Sequence, residues 1–362
     1  MNPGEVAKIS SWDPSSTAEL VEAVRAAKRV IAVGAQTKPR LSSVGSDVAR
    51  ISTAKLRGIS EYEPSEFTFT AWAGTPVKEI ATVLAERGQY LPFDPPLAET
   101  GATLAGTVAA GLSGPGRFRF GGLRDFILGV TLVDGTGRSL RLGGKVVKNA
   151  AGFDVPKFLV GSIGRFGIIA GLTLKVFPRA RQTRTLSLEA EDSDALTAIL
   201  TEAARTRWEL DALELVPGEG RVMARLAGPE SALDALAAEV LTRWPGRVLE
   251  QSAAHALWSA LGEFRWAHPA GTLVKVVLAP AQVKQFVVWA EARSNVRSQV
   301  GSGGNVGYLS FPAGTASEKL PWPALTLRGV GPLWPGEKRA FAVMRAVKAA
   351  LDPNGRFPDL DE

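Results

Sequence analysis

Cysteine is absent from the 362 residues, and histidine occurs only twice, at His255 and His268. Without thiolates the chain can form no disulfide of its own, hold no cysteine-ligated iron–sulfur cluster and bind no zinc through sulfur. His255 falls in a helical pattern, where a surface or packing role is the commoner one, and His268 precedes Pro269 in a predicted turn. We therefore expect no metal site and no histidine-based acid–base centre.

Long apolar runs are also missing. No stretch of 18 uninterrupted apolar residues occurs, so we expect no transmembrane helix. The first residues, MNPGEVAKIS, lack a basic start followed by an apolar core and do not resemble a secretory signal. We expect a cytoplasmic protein, with any peripheral contact at the inner face of the membrane made through partners. A net charge of +6 with scattered Lys and Arg does not favour nucleic-acid binding.

Three widespread active-site motifs are lacking as well. No G-x-G-x-x-G follows a predicted strand, which disfavours a Rossmann fold, and no G-x-x-x-x-G-K-[ST] phosphate-binding loop occurs. There is no G-x-S-x-G, and neither histidine lies in a recognisable setting, which disfavours a serine hydrolase.

The pattern of helices and strands indicates an α+β protein that divides near Pro178. Before it we predict a helix capped by Ser16, a strand over RVIAV, a helix capped by Thr75 and a short helix over Leu104–Ala110. After it, strand-like and helical runs alternate, which predicts an antiparallel sheet backed by helices. The predicted domains are residues 1–178, a smaller domain over 179–335, and a carboxyl-terminal helix and turn over 336–362 that returns to the first domain.

Three loops of small residues in the first half could contact an anion. Gly34–Lys38 follows a buried strand, and its backbone N–H groups, side-chain donors and lysine charge could surround an anionic group. From Thr100 to Ser113 nearly every side chain is small, so a ligand could lie against the backbone, and the helix after Thr103 could direct N–H groups at a phosphate. Gly161, Gly164 and Gly167 recur every three residues before a strand. Each loop taken alone is also consistent with an ordinary turn.

Taken together, the order and spacing of these segments resemble the FAD-binding domain of the vanillyl-alcohol oxidase and p-cresol methylhydroxylase (PCMH) family. The resemblance covers roughly residues 12–178, and the turn LDPNGRFP near the carboxyl end also matches the family's closing turn. The matching segments are VGAQTK, AWAGTPVKEIATVLAERGQYLPFDPP, ATLAGTVAAGLSGPGRFRFGGLRDFILGVTLVDGTG and KNAAGFDVPKFLVGSIGRFGIIAGLTLKVFP. The implied fold is a PCMH-type FAD-binding domain of two subdomains, followed by a smaller α/β cap domain with an antiparallel sheet.

The resemblance implies that FAD lies between the two subdomains and that its pyrophosphate is held by the first loop. The implied cofactor-binding residues are Gly34, Ala35, Gln36, Thr37, Lys38, Pro96, Thr100, Gly101, Thr103, Leu104, Gly106, Thr107, Ala109, Ser113, Gly114, Gly121, Arg124, Gly164, Gly167 and Ile168.

The chain departs from the family pattern at several positions. Some members attach FAD through a histidine in the first or second loop, but no histidine precedes His255, so we expect non-covalent FAD. The paired glycines of the second loop are Ala105 and Gly106 here. We expect Arg124 and Asp125 to form a structural pair or a clamp near FAD, and Asp154 to orient its loop.

Within the family the chain most resembles the smaller FAD-binding subunits of bacterial glycolate oxidases. This implies oxidation of a 2-hydroxy acid to a 2-oxo acid, in a complex with a larger flavoprotein subunit and an iron–sulfur subunit. Two alternatives stay open: a stand-alone FAD-dependent oxidoreductase acting on an alcohol or hydroxy acid, and a structural subunit that has lost FAD. For the stand-alone enzyme, the candidate partners of a substrate carboxylate are Arg265, Lys275 and Arg328. No catalytic residue is predicted.

Overall fold

The structure, a computed structural model, describes residues 11–144, 154–216, 218, 220–338 and 340–361. Residues 148–153, at the start of the matching segment KNAAGFDVPKFLVGSIGRFGIIAGLTLKVFP, lie outside the described residues. Up to Pro178 the strands are β1 Ser11–Trp12, β2 Val30–Val33, β3 Ala49–Ser52, β4 Ile59–Glu63, β5 Thr68–Trp72, β6 Gln89–Tyr90, β7 Ile127–Val133, β8 Ser139–Gly143, β9 Ile168–Lys175 and β10 Phe177–Pro178.

The helices of this half follow the sequence signals closely, with two differences at their caps. They are α1 Thr17–Ala26, α2 Val77–Ala85, α3 Leu104–Ala110, α4 Arg117–Phe120 and α5 Val155–Phe158. Ser16 caps α1 as predicted by accepting from the Glu19 amide, but the Glu19 carboxylate turns to the amide and hydroxyl of Ser15. The prediction that Thr75 caps α2 is wrong, because its hydroxyl donates to Trp72 O at 2.7 Å and helps to close the turn before the helix.

Two sheets of the first half lie on either side of a central cleft. The strands β1, β3 and β2 form a small parallel sheet, and β4, β5, β9, β7 and β8 form an antiparallel one. Helix α1 packs its buried Leu20, Ala23 and Val24 into the core around the parallel sheet. Helices α2 and α3 belong to the core of the antiparallel sheet. The loops that connect these layers therefore converge at the cleft.

The second half forms one eight-stranded antiparallel sheet in the order β14-β11-β13-β12-β16-β17-β15-β18. The predicted α+β class with an antiparallel second sheet is confirmed, although four of these strands were not predicted from the sequence. We call this half the cap. Its elements are β11 Gln182–Glu189, α6 Ser193–Ala203, β12 Ala212–Val216, β13 Arg221–Gly228, α7 Glu230–Arg243, β14 Gly246–Val248, α8 Gln251–Gly262, β15 Gly271–Val277, α9 Val283–Glu291, β16 Arg297–Gly301, β17 Val306–Ala313 and β18 Ala324–Arg328.

The carboxyl-terminal segment packs on the first half. Helix α10, Phe341–Leu351, lays Phe341, Met344 and Val347 on the core of the antiparallel five-stranded sheet. Beyond it the chain reaches β2, because the Val30 amide donates to Arg356 O at 2.7 Å. The domain boundaries stay a prediction, but these contacts are the ones that a returning helix requires.

Polar contacts join the cap to the first half, several of them at or near the second loop. Lys275 Nζ donates to Gly111 O at 2.6 Å. The Glu263 carboxylate accepts from the amides of Glu99 and Thr100 at 2.9 and 3.0 Å. Arg225, which is nearly buried, bridges Asp94, which precedes the second loop, and Asp211 of the cap. Because a buried guanidinium needs carboxylate partners, this bridge ties the two halves at one point.

No helix among the described residues is long and apolar enough to cross a membrane.

Candidate functional site

A cavity of about 90 Å³ opens between the two subdomains of the first half, at the point where the three small-residue loops meet. The family resemblance implies that these loops bind one ligand, and in the structure parts of all three line the same cavity. The predicted site residues that line it are Gly34, Ala35, Gln36, Thr37, Lys38, Thr103, Gly106, Ala109, Gly164 and Gly167.

Gly34 allows the first loop to lie directly against the start of α3. A Cβ atom built on Gly34 would lie 2.7 Å from Thr103 Oγ1, closer than real Cβ contacts come. The same hydroxyl accepts from the Gly106 amide at 3.3 Å, so Thr103 caps α3 and cannot easily turn away. A side chain at position 34 would therefore separate the first loop from the second.

The first loop presents unused donors to the cavity. Within the described part of the chain, the backbone amides of residues 34–38 donate to no protein acceptor. Lys38 is 7% exposed and its ammonium contacts the Thr37 hydroxyl at 2.9 Å. Burial lowers the pKa of Lys38 to about 8. A buried cation beside free amides can bind an anion. The anion accepts hydrogen bonds from the amides, and its charge offsets the cost of removing the ammonium from water.

The expected role of the α3 amino terminus is wrong. Its first amides are already bonded within the protein: Leu104 N donates to Thr75 O at 2.9 Å and Ala105 N to Ala73 O at 3.0 Å. The Gly106 amide donates to Thr103 Oγ1. The helix therefore offers these groups to no phosphate, and the donors come from the first loop.

Two residues with left-handed backbone conformations line the cavity. Gln36 has φ +54° and Ile163 has φ +44°. A β-branched residue in this region is strained, and such strain persists where the surrounding structure fixes it. Here Arg165, 1% exposed, fixes it by donating from Nη1 to Leu41 O at 3.0 Å and to Ile163 O at 2.5 Å.

The carboxyl-terminal helix supports the same loop from behind. Lys348 Nζ donates to Arg165 O at 3.0 Å, to Phe357 O at 3.1 Å and to the Asp352 carboxylate at 2.8 Å. Lys348 and Arg165 were not found by the sequence analysis, because they act through backbone carbonyls that lie far away along the chain. The sequence signal that pointed to this part of the chain was the closing LDPNGRFP turn, which matches the family pattern.

A second, much smaller cavity lies where the second loop meets the cap. Its predicted residues are Pro96, Ser113 and Gly114, which face Glu214, Gln299, Ser302 and Tyr308 of the cap across about 10 Å³. This volume holds roughly one water molecule. The Ser113 hydroxyl accepts from the Leu123 amide at 2.9 Å and so fixes the end of the second loop.

The remaining predicted site residues line neither cavity. Thr100 donates its hydroxyl and amide to Glu263 of the cap, and Gly101 follows it with φ +94°. Leu104 and Ile168 bury their side chains in separate cores. Thr107 is 1% exposed, and its hydroxyl finds no hydrogen-bond partner among the described residues.

Arg124 and Asp125 do not form the expected structural pair, and a clamp near FAD stays a prediction. Both side chains are exposed. The Asp125 carboxylate accepts from the Gly122 amide at 2.9 Å, close to Gly121, whose φ is +87°. The aspartate therefore stabilises a tight turn in place of neutralising Arg124. Asp154 caps α5 by accepting from the Lys157 amide at 3.2 Å, which agrees with an orienting role for its own loop.

Of the three candidate partners for a substrate carboxylate, only Lys275 reaches a small-residue loop. Its ammonium contacts Gly111 O, and burial, together with the charge of Arg117, lowers its pKa to about 8. Arg328 donates to Gly271 O and His268 O within the cap. Arg265 is exposed. His268 contacts Asn295 O at 3.0 Å, and no group of three metal-ligating side chains lies together within the described ranges.

Sequence reasoning missed part of the cavity wall. The unpredicted lining residues are Ala32, Leu41, Ser42, Thr53, Ala105, Ser162, Ile163 and Ile169. Thr53 follows β3, the neighbour of β2, so the adjacency of two parallel strands could have indicated it. The apolar members carry no local sign of a ligand.

Comparisons with known proteins agree with this geometry. A family model described as FAD binding domain matches residues 12–143. Glycolate oxidase subunit GlcE of Escherichia coli (strain K12) is 39% identical over 182 residues, which are 49% of this chain and 50% of that protein. A D-lactate dehydrogenase of Anaerostipes hadrus is 30% identical over 177 residues, 49% of this chain and 37% of that protein. The chain thus spans half or less of the length of these curated relatives.

A similar fold occurs in a solved structure of alkyldihydroxyacetonephosphate synthase. The TM-score is 0.66 at 16% sequence identity, covering 95% of this chain and 74% of that one. At this identity the likeness concerns the fold alone, but it extends through the cap. Residues 12–143, which contain the first and second loops, therefore match the family of FAD-binding domains.

Proposed function

We propose that this chain is the FAD-binding subunit of a glycolate oxidase-type complex, which oxidises a 2-hydroxy acid to a 2-oxo acid. The observation that carries the proposal is the first loop, where the amides of residues 34–38 and the buried ammonium of Lys38 face one cavity. The likeness to GlcE and to D-lactate dehydrogenases supports the substrate class. A larger flavoprotein subunit and an iron–sulfur subunit are the proposed partners.

The residues present fit FAD. A diphosphate needs oriented donors at close range, and the first loop has free amides and a cation that contacts no carboxylate among the described residues. Small side chains at Gly34, Thr103 and Gly106 let a ligand touch the backbone. When bound, the oxidised flavin would supply the acceptor for a hydride. The chain itself would hold the cofactor, orient the substrate and exclude water at the face of the cap.

A stand-alone hydroxy-acid oxidoreductase is the second candidate, and the position of Lys275 favours it. This cation lies on the cap sheet against Gly111 of the second loop. A lysine there could hold a substrate carboxylate beside a flavin bound along that loop. A structural subunit without FAD is disfavoured, since it would leave the loop amides without acceptors and the buried charge of Lys38 without an anion, at a cost in stability.

An absorption spectrum of the purified chain, before and after FAD addition, tests the cofactor. Flavin bands that stay with the protein through gel filtration are expected. Anaerobic glycolate is then added with and without the partner subunits, and bleaching of the flavin is followed. Bleaching only with partners supports the complex, and bleaching by the chain alone supports the second candidate. A chain that stays colourless after FAD addition contradicts both.

A further inference from the structure

Four polar residues form a row across the face of the cap sheet that meets the second loop. Direct cross-strand pairing places Tyr308 on β17 beside Lys275 on β15 and beside Gln299 on β16. Glu214 on β12 contacts Gln299, whose Nε2 donates to its carboxylate at 2.9 Å. Paired residues of neighbouring strands point to the same face of a sheet. The row therefore runs Lys275, Tyr308, Gln299, Glu214.

The Glu214 end of the row is a buried carboxylate without a cation bonded to it. Glu214 is 2% exposed and accepts from the Ser302 amide at 2.9 Å. No cation is ion-paired with it among the described residues. Burial raises its pKa to about 7, a shift that Asp94 adds to and that Arg225 opposes. Tyr308 is the other titratable group facing it, and burial raises the pKa of this phenol as well, so it stays neutral.

Unused polar atoms surround the water-sized cavity between Glu214 and Tyr308. Both residues line it, together with Ser113 and Gly114 of the second loop. Gln299 Oε1 and Ser302 Oγ are buried, and within the described ranges neither has a hydrogen-bond partner. A buried polar atom without a partner is costly, and a single water in this space would have Tyr308, Gln299, Ser302 and Glu214 as neighbours.

The spacing between the strands limits which residues of the row a substrate can reach. Neighbouring strands lie about 4.8 Å apart, so Lys275 and Glu214, three strands apart, are separated by about 14 Å. A small hydroxy acid whose carboxylate is held by Lys275 can reach Tyr308 on the next strand but not Glu214. A proton from its hydroxyl would then travel to Glu214 through Tyr308 and the water-sized cavity that both residues line.

We infer that Tyr308 and Glu214 form a proton path for alcohol oxidation; the inference rests on the proposed function. The substrate O–H bond breaks and its proton passes to the Tyr308 oxygen, while the Tyr308 proton passes through one water to the Glu214 carboxylate. The C–H bond breaks with its electron pair, which goes as hydride to the oxidised flavin. The products are the 2-oxo acid, reduced flavin and a neutral Glu214, which later releases its proton to solvent.

The test compares full-length, FAD-loaded wild-type protein with E214Q and Y308F, with partner subunits added when the chain alone is not reduced. Glutamine keeps the size of Glu214, and Gln299 can turn its amide to bond with it, so the fold should persist. Glu291→Gln, an exposed glutamate on α9, is the matched control. Flavin reduction by glycolate or D-lactate is measured anaerobically from pH 5.5 to 8.5.

We expect the wild-type and Glu291→Gln rates to rise through about pH 7, where Glu214 becomes ionised. Reduction should be about 100-fold slower in E214Q and Y308F, the usual contribution of a general base, and the rise with pH should be absent in E214Q. Without substrate, an infrared carboxyl band that titrates near pH 7 should be present in wild type and absent in E214Q. FAD affinity should change less than twofold.

The possible outcomes distinguish failure of the proton path from failure of the proposed function. A wild-type flavin that is reduced, with E214Q and Y308F reduced at the same rate, overturns the proton path and leaves the proposed function intact. A wild-type flavin that no 2-hydroxy acid reduces, even with partners, overturns the proposed function together with the path. Loss of FAD from E214Q would assign Glu214 a purely structural role and also contradict the path.

Discussion

Gly34 and Thr103 lie so close that the first loop and the second can meet only if position 34 lacks a side chain. A Cβ at Gly34 would be 2.7 Å from Thr103 Oγ1, and that hydroxyl is held as the cap of α3. The two residues are 69 positions apart in sequence, yet this contact closes one wall of the proposed diphosphate site.

Replacing Gly34 by alanine should therefore weaken FAD binding more than it weakens the fold. Crowding of a packed site costs about 1–3 kcal/mol, so we expect the dissociation constant of FAD to rise about tenfold or more in a flavin-fluorescence titration. Gly228→Ala is the matched control, since its Cβ would meet only ordinary contact at 3.9 Å. Equal FAD affinity in both variants would show that the contact does not shape the site.

Removing the charge of Lys38 should act in opposite directions on the free and the FAD-bound protein. Lys38→Met takes a buried cation out of the free protein, so the melting temperature without FAD should rise. A charge-assisted bond to phosphate would be lost, about 1.5–3 kcal/mol, which is about a tenfold to hundredfold weaker FAD affinity. Calorimetry with and without FAD measures both, and the exposed Lys319→Met is the control. A fall in both quantities would indicate a structural lysine.

FAD affinity should also decrease as the pH rises above about 8. In the free protein the pKa of Lys38 is lowered to about 8, and a bound phosphate would raise it again. The bound state then holds more protons than the free state above pH 8, so affinity falls there by at most tenfold per pH unit. Titrations at pH 7, 8 and 9 measure the slope. Lys38→Met should lack it, and a slope that persists in this variant would assign the effect to another group.

In the protein without FAD, the lowered pKa of Lys38 makes the folded state more stable as the pH rises, whereas the affinity for FAD decreases. The folded-state pKa values of Lys38 and Lys275 are lowered to about 8 from 10.5, so between these pH values the unfolded chain binds more protons. These two lysines therefore make the free protein more stable as the pH rises from about 8 to 10.5. Urea unfolding of Lys38→Met and wild type at pH 8 and 10 should show a smaller gain in the variant.

Removing the hydrogen bonds of Lys348 behind the third loop should weaken FAD binding, although Lys348 does not line the cavity. Lys348→Met leaves Asp352 and Arg165 O without their buried partner, a loss of about 3–5 kcal/mol for a broken buried pair. We expect a lower melting temperature and weaker FAD binding. Arg345→Met, exposed on the same helix, is the control. If FAD affinity stayed unchanged while stability fell, α10 would support the fold without shaping the site.

The cap should hold the second loop through Glu263. Glu263→Ala removes the acceptor of the Glu99 and Thr100 amides, so we expect hydrogen exchange at these two amides to become about fivefold faster, as a loss of about 1 kcal/mol requires. Glu250→Ala, exposed just before α8, should leave them unchanged. Unchanged exchange in Glu263→Ala would show that the loop is held by other contacts.

The sequence by itself determined the local elements and the family. The Ser16 cap, the strand over RVIAV and the helix over Leu104–Ala110 follow from short-range signals, because capping and periodicity act within a few residues. Residues 34–38 could be identified because a glycine-led polar loop directly after a buried strand can be recognised from its composition. The Thr75 cap failed because a nearby turn competed for the same hydroxyl.

Only the tertiary structure decided which donors are free. It showed that the α3 amides are already bonded, that Arg124 and Asp125 are exposed, and that Lys348 and Arg165 support the third loop. It also aligned Lys275, Tyr308, Gln299 and Glu214 on one face, although they lie on four different strands between residues 212 and 313. Hydrogen bonds and strand register join residues that are far apart in sequence, so composition and spacing carry no record of them.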